Sequence, residues 1–256
     1  MLSPQPLRLL CLSDLHGDFD RFPSEHLPDA DAVIVAGDIT TNGLRYPPYE
    51  DEPNARLWFA WMRKRYRQVY YILGNHDLDI TPAHFEHNDT DGAIHSLVPP
   101  APSGKQLGSS TSENVFLLHG LRLTGINLSP TFGAPSIAAR WANMTARRKE
   151  DAAAFAVLPV VDILVSHCPP LGICDTAGPT AHGRENQHLG SPGLRHYVET
   201  IGPRLVVCGH VHEAMGVAYV PTASGETCVV NTALTATLVS ISASGLVEVE
   251  EASSFR

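Results

Sequence analysis

Short apolar runs punctuate the chain at Leu7–Leu12, Ala32–Ala36, Val69–Leu73, Asp162–Val165 and Leu205–Cys208. They are continuous rather than alternating and rich in β-branched residues, which predicts strands buried on both faces. Helical patterning lies between them. Ala55–Gln68 is apolar at Leu57, Trp58, Trp61 and Met62 and basic at its end, and Ser136–Phe155 and Pro192–Thr200 are two further helix candidates. Val115–Leu118 and Leu121–Ile126 flank His119-Gly120, which reads as a hairpin. From Met215 to Val249, β-branched segments alternate around turns at Ser224-Gly225 and Ser244-Gly245. Strands interleaved with helices, then a β-rich C-terminal part, predict an α/β fold in which two sheets pack together with helices outside. Neither an internal repeat nor a composition break divides the chain, so residues 1–256 read as a single domain. Pro99–Glu113, rich in Pro, Gly and Ser and without periodicity, predicts a long loop, either mobile or a site lid.

Composition narrows the function classes. A chain of 256 residues buries roughly three quarters of its unfolded surface, so it needs neither disulfides nor metal merely to fold. Hydrophobic content of 43% with 18% charge excludes a wholly disordered chain. No apolar run approaches the ~18 residues of a membrane span, and Arg8–Leu12 is too poor in apolar residues for a secretion-signal core. The net charge of −9 argues against a nucleic-acid coat or a binder of anionic membranes. The expected partner is a small substrate rather than a membrane or long nucleic acid, with a homodimer left open. Five cysteines, odd in number and without a CxxC pair, predict reduced thiols in a cytoplasmic protein.

Histidine changes the picture. There are 13, and several follow the predicted strands. Leu7–Leu12 runs into Ser13-Asp14, Ala32–Ala36 into Gly37-Asp38, and Val69–Leu73 into Gly74-Asn75. Asp162–Val165 runs into Ser166-His167, and Leu205–Cys208 into Gly209-His210. Each run thus ends in a small residue and then a metal-ligand type. In open α/β sheets the functional crevice lies outside the carboxyl ends of the strands. Asp14 with His16, and His210 with His212, add a second ligand at i+2, on the same side of an extended chain. Asp14, Asp38 or Asn75 alone would read as a turn residue. Histidine after a strand has no such explanation, and His167, His210 and His212 are three cases.

The candidate ligands Asp14, His16, Asp38, Asn75, His167, His210 and His212 exceed the four of a single zinc shell and point to two cations sharing a carboxylate. Two divalent ions against two aspartates and a hydroxide leave about +1, enough to attract a phosphate anion to an acidic protein. Mixed nitrogen and oxygen ligation suits Mn, Fe or Zn rather than Ca.

The motifs Asp14-Leu15-His16-Gly17, Gly37-Asp38, Gly74-Asn75-His76-Asp77, Ser166-His167 and Gly209-His210-Val211-His212 closely resemble those of the calcineurin-like metallophosphoesterase superfamily. Ser166–Asp175, Gly209–Gly216 and Asn231–Leu234 look like the metallophosphoesterase-domain-containing phosphodiesterases within it. Some animal members of that branch lack the first His of the GHxH motif, whereas His210 is intact here. The resemblance implies a four-layer αββα sandwich of two mixed β-sheets flanked by helices, with two metals at the sheet edge. It implies that Asp14, His16, Asp38 and His212 hold one metal and Asp38, Asn75, His167 and His210 the other, with Asp38 bridging. His76 would lie beside the site as general acid, in phosphodiester hydrolysis by a metal-bridging hydroxide. Cyclic nucleotides are candidate substrates. Asp77 reads as a turn residue, as a group orienting a neighbour, or as a substrate contact.

Departures from the pattern are informative. In protein Ser/Thr phosphatases the bridging-Asp motif reads GDxxDRG, supplying an Asp partner for the catalytic His and an Arg that clamps phosphate. Thr41 and Asn42 replace them here, which favours a monoanionic diester over a dianionic phosphomonoester on a protein. Asn42 becomes a candidate substrate contact. His182 and His188, in the connection Gly178–Gly193, read as surface-loop residues, and Cys168 and Cys208 as inward-packed thiols. The alternative functions are a non-catalytic metal-binding interaction scaffold and a metal-dependent nuclease.

Overall fold

The computed structural model describes residues 5–22, 26–41, 51–77, 85–86, 89, 91–98, 114–130, 145–146, 148–179 and 185–250. Asn42, His182 and the 99–113 segment lie outside them, as do residues 136–144 of the helix predicted over Ser136–Phe155. In chain order the elements are β1 (Leu7–Leu12), β2 (Ala32–Ala36), α1 (Asp51–Arg65), β3 (Val69–Ile72), β4 (Ile94–Ser96), β5 (Phe116–Leu118) and β6 (Leu121–Ile126). A short pair, β7 (Ser129–Pro130) and β8 (Thr145–Ala146), precedes α2 (Arg148–Ala156), β9 (Ile163–Ser166), α3 (Pro192–Ile201) and β10 (Leu205–Cys208). The chain closes with β11 (Gly216–Thr222), β12 (Gly225–Asn231), β13 (Ala236–Ile241) and β14 (Val247–Glu250).

Two mixed six-stranded sheets result, ordered β14-β13-β1-β2-β3-β4 and β11-β12-β10-β9-β6-β5. Their central strands run parallel and their flanking hairpins antiparallel. Alternation along each strand builds the layers. Leu9, Cys11, Ile34, Ala36 and Ile72 of the first sheet meet Leu123, Ile163, Val165, Val207 and Val230 of the second in the central core. The intervening Leu10, Leu12, Val33, Val35 and Tyr71 pack instead on Trp58, Phe59 and Met62 of α1. On the far side Leu164, Val206 and Val229 pack on Phe155 of α2 and on Leu194, Tyr197 and Val198 of α3. Both sheets are therefore covered on both faces, giving four layers in the order helix, sheet, sheet, helices. Each fully buried aliphatic side chain of these runs contributes about 1.5–3 kcal/mol.

The departures from expectation have physical causes. Helix α1 ends at Arg65, and Leu57 is 70% exposed. The buried stripe is Ala55, Trp58, Phe59 and Met62, at the i, i+3, i+4, i+7 spacing of one helix face, and Leu57 falls off it. The β5–β6 hairpin forms as expected, with positive φ at both His119 and Gly120, the condition of a tight two-residue turn. The C-terminal β region forms hairpins at the expected turns, divided between the two sheets. The β11–β12 hairpin completes the second sheet and the β13–β14 hairpin the first, so the chain changes sheet between Asn231 and Ala236. No helix among the described residues is long and apolar enough to cross a membrane.

Candidate metal centre

The carboxyl ends of β1, β2, β3, β9 and β10 meet at one edge of the sandwich. The loops after β1 and β2 lie side by side: the Asp14 N–H donates to the Gly37 carbonyl at 3.0 Å, and the His16 N–H to the Asp38 carbonyl at 2.9 Å. Asp14, His16, Asp38 and His210 all adopt positive φ, between 48° and 70°. They are four of the eight non-glycine residues in that conformation among the described residues. Such a backbone is uncommon outside glycine and concentrates at functional sites. Asp14 and His16 thus reach one cluster from a coiled-up loop, not from the extended chain that the i+2 argument assumed.

Three overlapping groups of donor atoms follow: Asp14 with His16 and His212, His16 with Asp38 and His76, and Asp38 with His167 and His210. His212 Nε2 is 3.0 Å from Asp14 Oδ1 and 3.2 Å from His16 Nε2. His167 Nε2 lies 3.2 Å from Asp38 Oδ2 and 3.1 Å from Asn75 Oδ1. The rings of His167 and His210 are 5.0 Å apart. His210 and His212, adjacent in the motif, fall into separate groups. The structure brings together every sequence-predicted ligand, and Asp38 belongs to two groups.

Asp14 and Asp38 are almost completely buried, and among the described residues their ion-pair partners are histidines alone. Buried carboxylates of this kind need compensating charge. Burial opposes the Asp14 charge, yet the His212 hydrogen bond and the nearby His167 hold its carboxyl down at about 2. Burial likewise opposes ionised Asp38, but His167 and His76 keep it well below the usual carboxylate range. Burial pulls His167 down, and Asp38 and its hydrogen bond outweigh that and raise it to about 9. Burial, then the charge of His167, pushes His210 down to about 3. Two ionised carboxylates, each within 4.8 Å of the imidazole nitrogens of its own group, fit divalent metal binding.

The surrounding contacts fix these groups. His167 Nδ1 donates to the Ala36 carbonyl at 2.8 Å, which aims Nε2 at Asp38. The Asp38 Oδ1 atom accepts the His76 N–H at 2.7 Å, and Asp14 Oδ2 accepts the His210 N–H at 2.9 Å. Gly74 is required by close approach: a Cβ there would lie 2.2 Å from Asp38 Oδ1. His76 is partly buried, its Nε2 3.9 Å from Asp38 Oδ2 and its ring edge-on to His16 at 4.9 Å.

Asp77 is placed differently from a substrate contact. It is fully buried, and its carboxylate accepts the N–H groups of Gly74 at 2.8 Å, Ile39 at 3.2 Å and Thr40 at 2.8 Å, besides the Thr40 hydroxyl at 3.1 Å. With its acceptor sites filled, it clamps the Asp38 loop to the Asn75 loop from beneath. Burial and the charge of Asp38 raise it to about 7 despite the backbone donors.

Two supporting residues carried no role in the sequence reading. Asn231 Nδ2 donates to the carbonyls of Cys174, Val211 and Ala214, anchoring the turn that presents His212. Thr232 bonds the Cys11 carbonyl through its hydroxyl and the Cys208 carbonyl through its N–H, joining the ends of β1 and β10 where the chain changes sheet. Their signal was the Asn231–Leu234 motif at a strand end. His188 lies off the centre, its Nδ1 2.7 Å from the buried Asp175 carboxylate.

Known proteins place the chain. A UPF0046 protein of Caenorhabditis elegans is 28% identical over 238 residues, covering 89% of this chain and 69% of its own length. Metallophosphoesterase domain-containing protein 1 of Homo sapiens is 29% identical over 248 residues, covering 90% of this chain and 67% of its own. Among solved structures, a 5'-nucleotidase precursor from Thermus thermophilus superposes with a TM-score of 0.52 at 16% identity, over 96% of this chain and 54% of that one, a likeness of fold. The sequence profile of the calcineurin-like phosphoesterases matches residues 7–214, the span that contains all the clustered Asp and His side chains, and the chain belongs to that family.

Proposed function

We propose that the protein is a two-metal phosphodiesterase acting on small diesters, cyclic nucleotides among them. The observation that carries this reading is the double membership of Asp38, shared between the group with His16 and His76 and the group with His167 and His210. Two cations sharing that carboxylate would be the simplest occupants of groups that overlap in this way. Asp14, His16, Asp38 and His212 would hold one, and Asp38, Asn75, His167 and His210 the other, as Mn, Fe or Zn. When bound, such a pair supplies Lewis acidity toward phosphoryl oxygens and an activated water.

The chain's own residues supply the rest. The His16 and Asp38 groups that His76 faces are where a phosphodiester would be held, and His76 hands a proton to the leaving oxygen. Asp77, bonded to both loops, keeps Asp38 and Asn75 in register. Thr41 and Asn42, in place of an Asp and a phosphate-clamping Arg, support a monoanionic diester as substrate, with Asn42 contacting it. The net charge of −9 supports a small substrate over a long nucleic acid. Five free thiols, four of them buried, support a cytoplasmic setting.

The test is hydrolysis of bis-p-nitrophenyl phosphate by protein reconstituted with Mn, Fe or Zn, followed by a panel of cyclic nucleotides and dinucleotides. Turnover should appear with at least one metal and fall to background in Asp38→Ala and in Asn75→Ala. Inert wild-type protein under all three metals would refute the proposal.

A further inference from the structure

Arg122, Asp162 and Arg204 mark the end of the second sheet opposite the candidate ligands. Arg122 is near the start of β6, Asp162 directly precedes β9, and Arg204 directly precedes β10. Strands β9 and β10 therefore run from this end toward His167 and His210. At about 3.3 Å per residue, five residues of strand put the two ends roughly 16 Å apart.

A cavity of about 520 Å³ opens at this end, between the β13–β14 turn of the first sheet and the second sheet. Its volume is that of a small-molecule site, and no candidate metal ligand lines it. Exposed large apolar side chains converge on it: Val160 and Leu246 are each 57% exposed and Tyr219 is 48% exposed. These side chains give the cavity an apolar wall.

The polar groups are arranged around one carboxylate. Asp162 Oδ2 accepts the Arg122 backbone N–H at 2.9 Å, and Asp162 Oδ1 accepts Arg204 Nε at 3.1 Å. Arg204 is thus held by its inner nitrogen, and among the described residues its Nη1 and Nη2 atoms donate no hydrogen bond. The guanidinium lies across Gly245, where a Cβ would clash with Nη1 at 1.4 Å. Arg122 brings a second guanidinium to the same lining, and that side chain makes no ion pair among the described residues. A guanidinium edge fixed by Asp162, with a second arginine in the same lining, is suited to a carboxylate or phosphate. Glu226, also in the lining, opposes ligands of high negative charge.

We propose that this cavity binds an organic anion with a single acidic head. The head, a carboxylate or phosphate, bonds Arg122 and Arg204, and the apolar body lies against Tyr219, Val160 and Leu246. The site is separate from the metal centre and does not depend on the phosphodiesterase reading.

The experiment is calorimetric titration of the metal-loaded full chain with 1-naphthoate, with phenylphosphonate and with neutral 1-naphthamide. At least one of the two acids should bind saturably at one per chain while the amide does not, and the acid that binds identifies the head group. Binding should persist in Asn75→Ala, which disables the metal centre as a competing anion site. It should weaken tenfold or more in Arg122→Gln, whose guanidinium holds no bond that folding needs, and in Leu246→Asp, at an exposed turn. Absence of saturable binding by both acids, loss of binding in Asn75→Ala, or indifference to Arg122→Gln and Leu246→Asp would each overturn the proposal.

Discussion

His167 ties the two sheets together: from the end of β9 its Nδ1 donates to the Ala36 carbonyl at the end of β2, 2.8 Å away. One side chain therefore has a structural bond on one nitrogen and a candidate metal-binding atom on the other. The two roles are separable by substitution. His167→Ala leaves the Ala36 carbonyl with only the longer Ser13 hydroxyl bond, 3.2 Å, and should cost about 1 kcal/mol for the lost hydrogen bond, besides the lost side-chain packing. The amide of His167→Asn can occupy the Nδ1 position, so most of that stability should return while cation binding does not. Denaturant titration with and without added metal reads both effects, and an Asn variant that still binds metal as wild type would remove His167 from the ligand set.

The same residue sets a pH dependence. In metal-free protein the His167 pKa is raised to about 9 by Asp38, against the opposing effect of burial. A raised folded-state value means that this contribution to stability is complete below the ordinary value near 6.5 and is lost as pH rises through 9. The metal-free melting temperature should therefore fall across that window. A cation must displace the His167 proton, so metal affinity should change in the opposite direction and strengthen up to about pH 9. Calorimetry in two buffers of different ionisation enthalpy should show at least about one proton released at pH 7.5, from His167 with a further share from His212, which its Asp14 hydrogen bond also raises against burial.

Leaving-group dependence tests His76. A general acid contributes typically 10²–10⁴-fold where the departing oxygen is a poor leaving group. A p-nitrophenolate needs little protonation. His76→Ala should thus lower kcat steeply on a cyclic nucleotide and only slightly on bis-p-nitrophenyl phosphate. Equal losses on both substrates would assign His76 to binding instead.

Asp77 is expected to act through position. Asp77→Ala strands three backbone N–H groups beneath the site, each at a cost of about 1–3 kcal/mol, so a large loss of stability should follow. Asp77→Asn keeps one acceptor oxygen and should fold. It should weaken metal affinity by about 10–100-fold, the usual effect of disturbing a group that orients ligands.

Much of this architecture is legible in the chain because burial on both faces leaves an unambiguous trace. The runs Leu7–Leu12, Ala32–Ala36 and Leu205–Cys208 are strands with those very limits. Parallel strands of one sheet share a carboxyl edge, so the grouping of Asp14, Asp38 and Asn75, and that of His167 with His210, was readable as well. What was not readable depends on packing. Leu57 and Phe59 are both apolar, and only the angle at which α1 meets the first sheet buries one and exposes the other. Asn231 and Thr232 look like ordinary turn residues until the jump between sheets makes them the junction. Nothing local separates His210 from His212, since their different destinations follow from the short helical turn that starts at His212.

The left-handed backbone at Asp14, His16, Asp38 and His210 has a consequence for any mutational survey of this edge. An L-residue there carries about 1–2 kcal/mol of local conformational penalty, least for Asn and Asp and greatest for branched side chains. Swaps to Asn keep the backbone unstrained and report the change of side-chain chemistry, whereas swaps to Val or Ile will also report a backbone that no longer tolerates its own curvature. A tolerance profile ranked by side-chain chemistry would misread the second effect as the first.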